Sequence, residues 1–310
     1  MELIIQIGLL AIGFFMLVKG ADYFVDGAAG IATKFGIPQL VVGLTIVAMG
    51  TSAPEAAVSI TGAMHDAADI AIGNVVGSNI LNILIILGIT GFITTIAVQK
   101  STLMIEMPFM LAITVVLIVL GMTGNELTWI EGVIFWILFI AYLVYLYFLA
   151  KKGAEEEKTE DRPVWKLLIF IIVGGAVVVF GANISVDAAT AIATAIGISE
   201  KFIGLTIVAL GTSLPELVAS VTAARKGNAD IAIGNIVGSN IFNILFVLGT
   251  SALITPIPYQ STFLIDGIIA VAAGVLLWVA TIRKRELNRT WGIIMLLGYA
   301  AYFAYLLVQA

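Results

Sequence analysis

Glu55 and Glu216 are the residues of this sequence best placed to do chemistry, because each interrupts a long apolar run. Each closes the same segment: Gly-Leu-Thr-Ile-Val-Ala-Met-Gly-Thr-Ser-Ala-Pro-Glu at 43–55 returns at 204–216 with Leu for Met and Leu for Ala. A carboxylate deep in apolar surroundings costs at least about 2.5–3.5 kcal/mol on membrane-insertion scales, so it needs a partner. Two such carboxylates, each preceded by hydroxyls at Thr51 and Ser52 or at Thr212 and Ser213, suggest a cation site. Thr51 and Glu55 are four apart and share a helix face. Pro54 and Pro215 remove a backbone donor and clash with the preceding turn, so each helix should break there. Carbonyls just before the breaks, at Val47, Ala48, Val208 and Ala209, would then lose helical partners and face a cation. A local reading competes. Ser52–Glu55 and Ser213–Glu216 both fit the capping box, in which Ser and Glu tie off a restarted helix without any ion.

A second motif reinforces the first. Gly-Asn-Val-Val-Gly-Ser-Asn-Ile-Leu-Asn at 73–82 is repeated as Gly-Asn-Ile-Val-Gly-Ser-Asn-Ile-Phe-Asn at 234–243. Asn74, Ser78 and Asn82 recur every four residues and form one polar stripe, as do Asn235, Ser239 and Asn243. For Gly73, Gly77, Gly234 and Gly238 the reading is close helix packing, which small residues permit. Ser78, Asn82, Ser239 and Asn243 fall at the depth of the glutamates and are read as ligands. Together these spans offer carboxylates, hydroxyls, amide oxygens and carbonyls. Such an all-oxygen set suits hard cations, Ca²⁺ taking roughly 6–8 oxygens at about 2.3–2.6 Å. No histidine or cysteine joins it, which argues against zinc or copper. His65 reads as a solvated loop residue, and Asp69 and Asp230 as N-caps. Lys19, Asp22, Asp26 and Asp187 read as snorkelling residues or polar helix ends, Glu106 and Asp266 as edge residues, and Trp129, Trp165 and Trp291 as interfacial anchors.

The elements that must position these residues follow from composition. The chain has 310 residues, 61% hydrophobic and 11% charged, with mean hydropathy +1.12. A soluble domain of that composition would be greasy over most of its surface. The apolar runs reach about 20 residues, helix length and not barrel-strand length, so the expected class is an all-α polytopic membrane protein. Ten transmembrane helices are expected, at about 3–30, 37–63, 69–97, 101–121, 127–150, 164–190, 198–224, 230–256, 262–282 and 289–309. No cysteine is present, hence no disulfide or thiolate site. The apolar start lacks a basic leader region and reads as a span, not a cleavable signal.

Without gaps, residues 43–98 and 204–259 share 34 identities in 56 positions. The chain thus divides into a first repeat (1–150), an acidic linker (151–163) and a second repeat (164–310). Five spans per repeat is odd, so the second must enter from the opposite side, the inverted-repeat plan of secondary transporters. With the N-terminus outside, inner loops collect thirteen basic residues and outer loops only Lys201. That bias predicts both termini outside and a cytoplasmic linker.

The paired Gly-Thr-Ser-x-Pro-Glu and Gly-Asn-x-Val-Gly-Ser-Asn-Ile-x-Asn segments resemble the alpha-repeats of the cation/calcium exchanger superfamily, and within it prokaryotic sodium/calcium exchangers. The resemblance covers most of the chain. It implies ligands at Thr51, Ser52, Glu55, Ser78 and Asn82, and at Thr212, Ser213, Glu216, Ser239 and Asn243, with carbonyls from Ala48 and Ala209. Some relatives carry aspartate where this chain has Asn243, so a potassium requirement is not implied. The implied activity is exchange of Ca²⁺ for Na⁺ across the cell membrane by alternating access, in the direction of calcium extrusion and usually at three Na⁺ per Ca²⁺. It needs no cofactor and no partner beyond the transported ions and membrane lipid; nucleic acid has no place in it. Two ionised glutamates about 5 Å apart would repel by roughly 3 kcal/mol at an effective dielectric near 20, so an empty site should resist closure and a loaded one permit it. Ca²⁺/H⁺ antiport on the same glutamates is the alternative, and a passive cation channel a further one. An intramembrane hydrolase using Ser52 or Ser213 fails for want of a histidine or lysine beside either serine.

Overall fold

The apolar runs fold as helices, the form that satisfies every backbone amide within its own segment in lipid. The computed structural model describes residues 2–65, 68–152, 160–197 and 209–309. Among the described residues, eight helices are long and apolar enough to cross a membrane. The bent pair Gln39–Thr51 and Ala53–Met64, meeting at 51°, makes a ninth. The molecule is a multi-pass integral membrane protein. Of the expected seventh span, 198–208 lie outside the described residues, as do linker residues 153–159.

In chain order the first half comprises α1 (Glu2–Phe35), α2 (Gln39–Val42), α3 (Ala48–Thr51), α4 (Ala53–Met64), α5 (Asp69–Leu81), α6 (Gly88–Ile93), β1 (Ile96–Ala97), α7 (Met107–Gly124), β2 (Glu126–Leu127) and α8 (Trp129–Lys152). The second half comprises α9 (Val164–Ala195), α10 (Ala209–Thr212), α11 (Leu214–Arg225), α12 (Ala229–Phe242), α13 (Gly249–Ile254), β3 (Ile257–Pro258), α14 (Ser261–Ile282), β4 (Glu286–Leu287) and α15 (Arg289–Gln309). Widened π-helical turns at Gly43–Val47, Asn82–Leu87, Thr102–Glu106 and Asn243–Leu248 join several of these. β1 pairs antiparallel with β4 and β2 with β3, so each two-stranded ladder stitches one half to the other.

Burial sorts the spans. In the Ala229–Ile254 span 94% of the apolar window is buried, and in Ile70–Ile93 72%, against 17% in the first span. The two spans carrying the duplicated asparagine motif therefore form the centre. α1 and α9 lie at the periphery, packed on each other backbone to backbone. A Cβ on Gly20 would sit 2.8 Å from the Val178 amide nitrogen, and one on Gly174 would sit 2.6 Å from that of Phe24. The end of the linker clamps the same pair. Glu160 forks onto the Arg162 guanidinium at 2.8 and 2.7 Å, and Lys34 Nζ, at the foot of α1, donates to the carbonyls of Glu160 and Arg162 at 2.9 and 3.0 Å. The guanidinium holds the Glu160 carboxyl down to about 2.

Several expectations change at this level. Asp69 is the first residue of α5 and Asp230 the second of α12; the N-cap positions belong to Ala68 and Asn228. Glu106, expected at an edge, is fully buried. Asp22 and Asp26 are not free polar ends: Lys226 at the end of α11 lies 3.2 Å from Asp22 and 2.9 Å from Asp26. For Gly234 and Gly238 close packing holds, with a Cβ on Gly238 falling 2.7 Å from the Leu44 carbonyl. Around Gly77 the described residues leave open space.

Gly20→Leu should force α1 off α9 and lower the thermal midpoint in detergent by the equivalent of about 1–3 kcal/mol, as overpacking does. Gly8→Leu on the same helix, where a Cβ meets nothing, should leave it unchanged. Equal midpoints for the two variants would show that the α1–α9 contact does not hold the fold.

Candidate cation site

The site is built where two broken helices meet two polar ones. Ser52 breaks the first helix at φ −81°, ψ 9°, and Ser213 breaks its counterpart at φ −92°, ψ 5°. Each is followed within two residues by proline, which suits the first turn of a restarted helix. Neither serine caps its own helix through its side chain. Ser52 Oγ instead donates to Glu216 Oε1 at 2.8 Å, and Ser213 Oγ donates to Glu55 Oε1 at 3.2 Å. The capping-box reading is therefore overturned. Each hydroxyl serves the carboxylate of the other repeat, which puts both glutamates in one compartment. Both are fully buried, and the second oxygen of each, Oε2, has no partner among the described residues.

The asparagines repeat that pattern. Asn82 Nδ2 donates to Asn240 Oδ1 at 3.0 Å, and Asn243 Nδ2 donates to Asn79 Oδ1 at 3.3 Å. Asn79 and Asn240 also donate to each other's carbonyls, both at 3.2 Å. With their nitrogens engaged, Asn82 and Asn243 are left with buried Oδ1 atoms that have no partner among the described residues. Each of the two also opens a π-helical turn, a feature common at functional sites. Asn79 and Asn240 were missed in the sequence because they lie off the four-residue stripe; their exact duplication was the available signal. Asn74 and Asn235 brace the glutamate helices from behind. Asn74 Nδ2 donates to Ser59 Oγ at 2.9 Å and the Glu55 carbonyl at 3.2 Å, and Asn235 Nδ2 to Ser220 Oγ at 2.9 Å and the Glu216 carbonyl at 3.4 Å.

The remaining expected residues gather around this framework. Thr51 Oγ1 lies 3.0 Å from Asn235 Oδ1 and 3.1 and 3.3 Å from the Val47 and Ala48 carbonyls. Ala48 does not lose its helical bond as expected: its carbonyl accepts the Ser52 N–H at 3.0 Å, because Pro54 withdraws the donor for Gly50, not for Ala48. Ser239 Oγ donates to that same carbonyl at 3.4 Å. Ser78 is buried beside Asn79. Ala209 opens α10, and Val208 lies outside the described residues. Thr212 borders open space. Among the described residues no group of three or more acidic, histidine or cysteine side chains is assembled, so two carboxylates carry the charge here.

The two sides of the site differ. A cleft of 500 Å³ between α4, α9 and α10 is walled by Ala53, Pro54, Val58, Asn183, Asp187 and Thr212, among others. Leu17, Ala21, Val178 and Ala182, the last of which also lines the cleft, are buried together, with Leu214 and Val218 packed on them. In the internal alignment Leu214 and Val218 correspond to Ala53 and Ala57, which line the open cleft. One sequence pattern is thus open in one repeat and shut in the other.

If the serines serve the opposite glutamates, a thermal-stability cycle in detergent should show Ser52→Ala and Glu216→Gln coupled by about 0.5–3 kcal/mol, as contacting pairs are. Ser52→Ala with Glu55→Gln should add within about 0.5 kcal/mol. The reverse ranking would restore local capping.

Comparison with known proteins places this geometry. The family model described as sodium/calcium exchanger protein matches residues 5–148 and 166–308. Sodium/calcium exchanger MaX1 of Methanosarcina acetivorans is 33% identical over 344 residues, covering 96% of this chain and 97% of its own. Inner membrane protein YrbG of Escherichia coli is 34% identical over 321 residues, covering 98% and 97%. A solved structure of the sodium-calcium exchanger NCX_Mj, soaked with zero Na⁺ and Ca²⁺, superposes with a TM-score of 0.86 at 34% identity over 98% of this chain and 99% of that one. With a site duplicated across two such halves and relatives matched end to end, the chain belongs to the sodium/calcium exchanger family.

Proposed function

We propose that this protein exchanges Ca²⁺ for Na⁺ across the cell membrane, binding both at the compartment between Glu55 and Glu216. The observation that carries the reading is the set of four buried oxygens without protein partners: Oε2 of Glu55 and Glu216, and Oδ1 of Asn82 and Asn243. Leaving buried acceptors unpaired costs about 1–3 kcal/mol each, more for charged ones, and a bound cation removes that cost at all four together. Thr51, Ser52, Ser78, Thr212, Ser213 and Ser239, with the Ala48 and Ala209 carbonyls, supply the further oxygens that Ca²⁺ or several Na⁺ need. The names of the relatives point the same way: MaX1 and NCX_Mj are called sodium/calcium exchangers. No catalytic step and no cofactor enters this reading.

Ten spans in two inverted repeats fit the parity of the strand ladders. β1 follows the third span, and β4 precedes the last. Two paired strands must lie on one face of the membrane, so an even number of crossings must separate them, which a count of ten spans gives. The same count suits the β2–β3 pair. With both termini outside and the linker cytoplasmic, as the basic residues suggest, the cleft beside Thr212 opens outward. The inner side is then the one shut by Leu17, Leu214 and Val218 and by the Lys226 pairs to Asp22 and Asp26. Alternating access would exchange these roles, with α1 and α9 sliding as one unit past the ion-bearing core. Two unneutralised carboxylates oppose closure, so the loaded carrier switches and the empty one does not.

Sodium-loaded proteoliposomes should take up ⁴⁵Ca only while an outward sodium gradient exists. Glu55→Gln or Glu216→Gln should abolish uptake in folded protein, and Asn82→Ala or Asn243→Ala should slow it. Uptake driven by a pH gradient without sodium would replace this reading with Ca²⁺/H⁺ antiport, and uptake with no counter-ion at all would make the protein a channel.

Three Na⁺ on two glutamates leave one net charge, whereas one Ca²⁺ leaves none. A three-to-one cycle should therefore respond to voltage, each charge being worth about 2.3 kcal/mol per 100 mV. A potential clamped with potassium and valinomycin should change the initial calcium uptake rate; a rate independent of voltage means two Na⁺ per Ca²⁺.

A further inference from the structure

Glu106 lies outside the cation site and is fully buried. The Tyr145 hydroxyl donates to its Oε1, but its Oε2 has no partner, and neither has the buried hydroxyl of Tyr142. All three residues line a crevice of 150 Å³ between the start of α7 and the later part of α8, completed by Ile105, Phe109 and Ala141. Ile105 is 46% exposed, and Ala141 is exposed as well, so the crevice opens to the lipid-facing surface. Phe109 and Tyr142 stack at 5.5 Å between ring centres, and Tyr142 and Tyr145 at 6.5 Å, giving a continuous aromatic wall. An ionisable group inside a span marks a functional site by default, with its partner to be named.

We propose that this crevice binds the primary ammonium of a membrane-lipid headgroup, with Glu106 as its counter-ion. The crevice offers Glu106 Oε2, the Tyr142 hydroxyl oxygen and the free lone pair of the Tyr145 hydroxyl, three acceptors for the three N–H donors of an alkylammonium. Ca²⁺ would need about twice as many oxygens. The aromatic wall adds attraction for a cation and contact for the methylenes behind it. Depth agrees with a headgroup. Glu106 is five residues from Ser101, and Tyr145 seven from Lys152, or about 7–11 Å along each helix. The headgroup layer is about 5–8 Å thick on each side of the hydrocarbon, so the crevice sits at its base. Lys100, Lys151 and Lys152, at the same ends of these segments, supply positive charge for the phosphate of that headgroup. In the second repeat the same positions carry Asp266 and Tyr302, which bond to each other at 3.0 Å. There Asp266 is only half-buried, so at this position it is Glu106 of the first repeat, and not its counterpart, that holds an unpartnered buried carboxylate oxygen.

The test is native mass spectrometry of the full chain, delipidated in detergent and mixed with phosphatidylethanolamine, phosphatidylcholine and phosphatidylglycerol of matched acyl chains. The wild type should retain phosphatidylethanolamine over both others by about tenfold or more, as a lost charged hydrogen bond would imply. Glu106→Gln, nearly isosteric, should bring the three to parity, and Tyr142→Phe should reduce the preference while keeping the ring. Unchanged ⁴⁵Ca binding in both variants shows that they are folded and that the crevice is separate from the cation site. Equal retention of all three lipids by the wild type, or a preference that survives Glu106→Gln, overturns the proposal. Adducts with free ethanolamine and no lipid preference would overturn the lipid as its source.

Discussion

The structure depends on a reciprocal exchange of hydroxyls between two buried carboxylates. Ser52 bonds Glu216 and Ser213 bonds Glu55, so neither glutamate can be satisfied within its own repeat. A charge buried without a partner costs more than a single repeat could repay, and the halves are therefore obliged to face each other. The asparagines obey the same constraint through the Asn79–Asn240 exchange. What these crossed bonds omit marks the candidate site: one buried oxygen on each of four residues is left without a donor among the described residues.

The frame of the candidate site and the peripheral α1–α9 pair are built by different physics. The Ala229–Ile254 and Ile70–Ile93 spans are buried and tied to each other by the reciprocal Asn79–Asn240 amides, with Asn82 and Asn243 each adding one bond. α1 and α9 meet through glycine faces with few polar ties, a contact governed by shape. The linker clamp of Lys34, Glu160 and Arg162 makes that pair one body. A charged latch, Lys226 with Asp22 and Asp26, lies on the closed side only; the aligned positions on the open side are His65, Asn183 and Asp187. Half-exposed ion pairs of this kind contribute about 0–1 kcal/mol, too little to hold that side shut by themselves.

Apolar run length, the internal duplication and the mid-run glutamates were legible in the sequence because each depends on composition along the chain. Hydrophobicity decides that these segments enter lipid and fold as helices, and the cost of a buried charge decides that Glu55 and Glu216 need company. Motif spacing also identified Ser78, Asn82 and their counterparts as one polar face. Tertiary structure alone decided which groups pair. The serine three residues before each glutamate looks like that glutamate's local partner, yet the partner comes from 164 or 158 residues away. Asn79 and Asn240 stand off the polar stripe, and only the crossing of α5 and α12 brings them together. Glu106 looked peripheral because it is near the start of its span; burial came from α8, whose approach no local pattern specifies. Two repeats alike at most of their aligned positions also took up unlike conformations, since sequence symmetry constrains the set of accessible states, while packing of the whole chain selects the one that is populated.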